Sequence, residues 1–143
     1  MIAMRPRPQR VRTVLLSIVV AGVLAAVAYV GMFVAHGGRW FVVETPSMGT
    51  EAPVGTLLWV EPVKPADLHV GDFVTFRRPD SAETYSHRIR EIHADGTIST
   101  KGAITAPDPW TLKASDVVGR VEKRWWGIGW LVDALPILVI GGG

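Results

Sequence analysis

An uncharged stretch of 23 residues near the N-terminus, residues 13–35, constrains this chain most. As an α-helix it would span about 34 Å, slightly more than the hydrocarbon core of a bilayer. Four arginines precede it, and no acidic residue occurs before Glu44. By the positive-inside rule, residues 1–12 are predicted to be a cytoplasmic basic N-terminus and residues 13–35 a transmembrane signal anchor, with everything after Gly37 across the membrane.

A cleavable signal peptide is the alternative interpretation, because Ala26-Val27-Ala28 has the small-x-small pattern of a cleavage site. The apolar run continues past this triplet through Phe33 and Val34, which is longer than the apolar region of a usual signal peptide. The length favours the uncleaved anchor and hence a lipid bilayer as a partner.

Charge and composition limit the other partners and the kinds of site that this chain can have. From Gly37 onward the chain has 11 basic and 13 acidic residues, so its net positive charge comes from the N-terminus. No nucleic-acid partner is therefore predicted. Cysteine is absent, which excludes disulfides, thiolate nucleophiles and cysteine zinc sites. No H-E-x-x-H pattern occurs either, so the sequence predicts no metal and no cofactor.

Residues 37–124 are predicted to form an extracytoplasmic all-β domain. Short strand-like segments recur every 8 to 15 residues with no helical period between them. The predicted strands are residues 39–43, 57–60, 73–76, 86–93, 97–100 and 117–126. The proline-rich residues 106–109 are predicted to be a loop. The pattern favours a barrel or a folded sheet that follows one N-terminal transmembrane helix.

The apolar C-terminal segment, residues 125–143, has more than one interpretation. Its 19 residues are just long enough to cross a bilayer, but Asp133 in the middle of a span would be costly in lipid. Three tryptophans near its start suit the membrane interface. The segment is expected to lie in the interface, to span the membrane a second time, or to cover the sheet.

Ser47 is a candidate nucleophile close to the membrane. It follows the predicted strand 39–43, and Pro46 restricts the backbone on both sides of itself. Alone, this pattern is more typical of a serine in an ordinary turn. A serine nucleophile also needs an adjacent base that removes its proton.

Four histidines are candidates for that base. His36 lies at the membrane boundary and His69 in a turn, whereas His87 and His93 share one predicted strand. Six residues of extended strand place these last two about 20 Å apart, so they cannot both serve one site. Any one of them is by default a solvated or hydrogen-bonded strand histidine.

An aspartate would orient such a histidine and stabilise its protonated form. Asp95, Asp108 and Asp116 are available near the predicted strands. Asp108 lies among prolines, where an aspartate most often forms a turn. Spacing alone does not select it above the other two.

Five short motifs occur in an order that resembles a known family. They are Ser47-Met48, residues 68–74 (LHVGDFV), His87-Arg88-Ile89, Thr100-Lys101-Gly102 and residues 116–119 (DVVG). Their order downstream of a signal anchor resembles that of the type I signal peptidases, the S26 serine peptidases, over residues 44–121. Most bacterial members have a lysine base where this chain has His87. The resemblance is to the histidine branch, seen in the endoplasmic-reticulum and archaeal enzymes and some Gram-positive bacteria.

The resemblance implies a function and site residues. Ser47 would be the nucleophile, His87 the general base, and Asp108 the acid that follows the T-K-G motif. The Ser47 amide and the Thr45 hydroxyl would form the oxyanion hole, and Met48 would line a shallow pocket. The implied substrates are exported preproteins, cut after small residues on the outer face of the membrane to remove their signal peptides. The resemblance implies no oligomeric state.

Two departures from the family pattern leave alternatives open. The usual Ser-Met-x-Pro-Thr is replaced by a longer turn in which the proline is displaced to Pro53. Ala103 stands where many members have an aspartate after T-K-G. A catalytically impaired relative that binds signal sequences would fit that loss. An envelope adaptor that uses the β domain to bind partner proteins is a separate alternative. A self-cleaving repressor-type peptidase would need a DNA-binding domain and a cytoplasmic location, and the predicted anchor argues against both.

Overall fold

The computed structural model of the protein describes residues 8–134, and the chain divides into two compact units, Met1–Ala35 and His36–Gly143. The first unit contains the helix α1 (Pro8–Ala35), which begins before the predicted span and ends with it. Proline suits the first position of a helix, where its missing N–H has no intrahelical acceptor to lose. One 18-residue window of the helix has a mean hydropathy of 2.5, and no side chain in that window is buried. The helix is long and apolar enough to cross a membrane.

The second unit is built on a seven-stranded antiparallel sheet. Its strands are β1 (Arg39–Val42), β2 (Leu57–Glu61), β3 (Phe73–Arg77), β4 (Thr84–Ile92), β5 (Ile98–Lys101), β6 (Pro107–Leu112) and β7 (Val117–Trp125). They lie in the order β1-β2-β7-β3-β4-β5-β6, with β1 and β6 at the two edges. The predicted combination of an N-terminal apolar helix and an all-β domain is confirmed at this level.

One element of the strand prediction is wrong. Residues 106–109 were expected to form a loop, but Pro107 begins β6, which pairs with β5. Proline cannot donate a hydrogen bond to a sheet, and it is therefore confined to edge strands and strand ends. β6 is an edge strand, so Pro107 and Pro109 do not prevent its formation.

Two buried clusters form the core. The first core cluster consists of Leu68, Val74, Phe76, Ile89, Ile98 and Leu112. The second core cluster consists of Met48, Ala52, Leu58, Val60 and Phe73. Strand β3 contributes to both, because successive side chains of a strand point to opposite faces and all four residues from Phe73 to Phe76 are buried.

The C-terminal segment is described as far as Ala134. After β7 the chain forms a short helix, α2 (Gly129–Ala134), and Trp125, Trp126 and Trp130 are exposed. These three tryptophans are therefore outside the two core clusters. The prediction of a second membrane span depends on residues 135–143, which lie outside the described residues.

Candidate active site

Ser47 lies in a single turn of 3-10 helix, Pro46–Met48, that follows β1. Thr45 before it is extended, and Pro46 supplies a fixed backbone angle at the start of the turn. Gly49 ends the turn with φ 54°, a conformation that favours glycine, and its amide donates to the Pro46 carbonyl at 2.9 Å. The local sequence therefore holds the Ser47 hydroxyl on a tight, defined turn.

Strand alternation places His87 and Asp108 on one side of the sheet. His87 shares a face of β4 with Ile89, and Asp108 shares a face of β6 with Leu112. Ile89 and Leu112 both belong to the first core cluster. Strand β5 lies between β4 and β6, so the histidine and the aspartate meet across it.

The three predicted site residues form one chain of hydrogen bonds. Ser47 Oγ lies 2.9 Å from His87 Nε2, and His87 Nδ1 lies 2.6 Å from Asp108 Oδ2. An ionised carboxylate only accepts hydrogen bonds, so the Nδ1 proton belongs to the histidine and Nε2 is left to accept the Ser47 proton. Ser47, His87 and Asp108 in this arrangement can act as a nucleophile, a base and a group that orients the base.

Burial strengthens the electrostatic interaction between His87 and Asp108. The side chains of His87 and Asp108 are only 5% and 7% exposed, whereas Ser47 is half-buried and reachable. The rings of Phe76 and Tyr85 meet the imidazole edge-on, with centroids 6.1 and 5.9 Å away. Hydrogen bonds are stronger where water is excluded, so the Asp108 carboxylate acts on the imidazole with little screening.

Two groups that could donate to an oxyanion lie at residues 45–47. The first amides of a helical turn have no acceptor within the turn, and Ser47 occupies such a position in Pro46–Met48. The Thr45 hydroxyl lies 3.2 Å from Ser47 Oγ. Both groups that were predicted for the oxyanion hole are therefore next to the nucleophile.

The loop between β5 and β6 supports the backbone of Ser47. The Ile104 amide donates to the Ser47 carbonyl at 3.2 Å. A side chain at Gly102 would place its first carbon 2.7 Å from that same carbonyl oxygen, so only glycine fits without a shift. Neither residue was predicted to support Ser47, because the contact joins segments that are far apart in the chain.

The side chain of Met48 does not lie where it was predicted to lie. It was expected to line a substrate pocket, but its side chain is 1% exposed and belongs to the second core cluster. A side chain with so little surface does not suit a pocket wall. Ile104 is an apolar residue that is 69% exposed and whose amide donates to the Ser47 carbonyl.

The other acidic candidates are engaged elsewhere. Asp95 accepts hydrogen bonds from the amide and the hydroxyl of Thr97, and these bonds lower the pKa of its carboxyl. Asp116 accepts a hydrogen bond from the Lys113 amide.

Two of the other histidines also have local contacts. His93 Nε2 lies 2.8 Å from Ser99 Oγ, so the β4–β5 hairpin carries a second Ser-His pair that is separate from Ser47. The His69 amide donates to Asp72.

Comparison with known proteins gives no identification: no family model matches the chain, and no curated protein matches it.

Proposed function

We propose that the chain is a membrane-bound serine endopeptidase that removes signal peptides from exported preproteins, with Ser47 as nucleophile and His87 as general base. One observation carries the proposal: the continuous hydrogen bonds from Ser47 Oγ through His87 to Asp108, at 2.9 and 2.6 Å. The order of motifs along the chain supports membership of the histidine branch of type I signal peptidases and a fold of that kind.

In the proposed reaction, His87 Nε2 takes the proton from Ser47 as its oxygen attacks the scissile carbonyl. Asp108 holds the imidazole in the required tautomer and stabilises the imidazolium that forms. The Ser47 amide and the Thr45 hydroxyl stabilise the oxyanion, and such donors contribute about 2.7–4 kcal/mol each in comparable sites. The leaving amine takes the proton back from His87, and water then hydrolyses the acyl-enzyme.

The apolar helix supports the membrane setting of this reaction. Only a short segment of chain separates Ala35, the last residue of α1, from Ser47. The arginines before the apolar stretch favour a cytoplasmic N-terminus and hence a site on the outer side of the membrane. A tethered site has a high effective concentration toward substrates in the same membrane.

The test is cleavage of a purified preprotein by the detergent-solubilised full-length chain. We expect cleavage after a small residue, and its loss in Ser47→Ala and His87→Ala. The chain offers matched controls, because Ser99 and His93 are the same two residue types, 2.8 Å apart in a more exposed position. Ser99→Ala and His93→Ala should retain full activity.

Two results would contradict the proposal. Cleavage that survives Ser47→Ala would exclude this serine as the nucleophile. A wild-type chain that binds the preprotein and does not cleave it would favour the catalytically impaired relative, which the departure at Ala103 supports.

A further inference from the structure

Thr100 donates a hydrogen bond to the same aspartate oxygen that holds the histidine. Its Oγ1 lies 2.6 Å from Asp108 Oδ2, and His87 Nδ1 lies 2.6 Å from that same oxygen. Thr100 is completely buried on β5, the strand between those that carry His87 and Asp108. The side chains of three neighbouring strands are thus joined at one carboxylate oxygen.

Strand geometry explains why Thr100 can reach this oxygen. Thr100 pairs with Ile89 in the β4–β5 ladder, and it shares a face of β5 with Ile98 of the first core cluster. It therefore faces the same side of the sheet as His87 and Asp108. A buried hydroxyl without a partner would cost free energy, so a threonine at this position is explained by its acceptor.

We propose that Thr100 is a positioning residue that fixes the Asp108 carboxylate, and through it the His87 imidazole, in the orientation that Ser47 requires. The proposal rests on the proposed peptidase function. A carboxylate held by the imidazole alone can rotate about its side-chain bonds. The second donor, approaching from β5, removes that freedom and keeps Oδ2 aimed at His87 Nδ1.

Thr100→Val tests this directly, because valine keeps the shape of threonine and loses only the hydroxyl. In the full-length protein in detergent micelles we expect kcat to fall about tenfold with KM nearly unchanged, consistent with losing one hydrogen bond to a charged group. The Nδ1 proton resonance of His87 should move upfield as its bond to Asp108 loosens. Thr100→Ser, which keeps the hydroxyl, should restore both toward wild type.

Thr75→Val is the matched control. Thr75 is also completely buried and hydrogen-bonded, to Ser86 Oγ at 2.7 Å, but it lies on the face of β3 opposite to the first core cluster. We expect it to alter stability without altering kcat or the His87 resonance. If Thr100→Val matches Thr75→Val in both, the positioning role is overturned.

The two proposals fail in different ways. If wild type shows no cleavage that depends on Ser47, the peptidase proposal fails, and the resonance still tests Thr100. A shift in Thr100→Val that is absent from Thr75→Val would then still support the coupling of Thr100 to His87. If Thr100→Val has an unchanged kcat and an unchanged His87 resonance while wild type is an active peptidase, the role of Thr100 is overturned and the peptidase proposal stands.

Discussion

Arg88 binds the carboxylate of Glu51 with two nitrogens, Nη2 at 2.7 Å and Nε at 2.8 Å. Glu51 follows the turn that carries Ser47, and its amide donates to the Met48 carbonyl at 3.1 Å. Arg88 follows His87 on β4. Arg124 of β7 also donates to the Glu51 backbone carbonyl at 3.0 Å. The contact therefore connects the segment that carries Ser47 with the strand that carries His87.

Glu51→Gln is expected to reduce kcat by roughly tenfold, because small displacements of a nucleophile from its base are costly in rate. The loss of stability should be about 1 kcal/mol or less, since both side chains are more than a third exposed. Cleavage kinetics and thermal unfolding of the same preparation measure the two effects. A double-mutant cycle with Arg88→Ala gives the energy of the pair.

The Arg120–Glu122 pair on β7 is a matched control for this experiment. Its Nε–Oε1 distance is 2.7 Å and its side chains are 33% and 36% exposed, close to the values for the pair of Arg88. Glu122→Gln should leave kcat unchanged. Equal losses of kcat in Glu51→Gln and Glu122→Gln would show that the first pair has no special connection to the site.

Gly102→Ala should lower activity more than stability accounts for. The added methyl group would lie 2.7 Å from the Ser47 carbonyl oxygen, and a backbone atom must shift to accommodate it. Gly119→Ala is a useful comparison, because its methyl group would also meet a backbone carbonyl, that of Glu61. Labelling of Ser47 by a fluorophosphonate should be slowed in Gly102→Ala and not in folded Gly119→Ala.

Local sequence patterns predicted most of the strands, and they failed where the structure depends on distant pairing. The prolines of residues 106–109 indicated a loop because proline is excluded from central strands, and the sequence does not reveal that β6 is an edge. Asp108 was selected through the family resemblance and not through spacing. Its meeting with His87 depends on β5 lying between their strands.

The supporting residues of the site had no local signal. Thr100 is β-branched and suits any strand, so its hydrogen bond to Asp108 is not predictable from its position. Glu51 and Arg88 are 37 residues apart in the chain, and their pairing follows from the fold alone. Burial of Met48 also follows from tertiary packing, which a motif comparison does not report.

The ion pair between Arg78 and Asp80 is expected to make a contribution to the free energy of unfolding that is lost in acid. The Arg78 guanidinium donates to the Asp80 carboxylate at 2.6 and 2.9 Å and holds its pKa below the ordinary value. The pKa of Asp80 is therefore lower in the folded state than in the unfolded state, where it is near 4. The ion pair stabilises the fold fully when the pH is above the unfolded-state pKa. This stabilisation is lost as the pH falls through the folded-state pKa. Wild type should therefore unfold at a higher temperature than Asp80→Asn at pH 6, with the difference shrinking toward pH 2. A difference that stays constant over this range would contradict the assignment.

Asp108→Asn tests the orientation of the base without changing the shape of the side chain at this position. The side-chain amide of the variant can donate to His87 Nδ1, which would leave the ring proton on Nε2. Nε2 faces Ser47 Oγ, and a protonated Nε2 cannot accept the serine proton. We expect kcat to fall by about 10⁴, as in a serine protease with the same change. Raising the pH should not restore the rate, because the defect is the tautomer and not the charge. Full activity of Asp108→Asn, with the hydrogen bond of His87 to residue 108 retained, would show that Ser47 is activated by some other group.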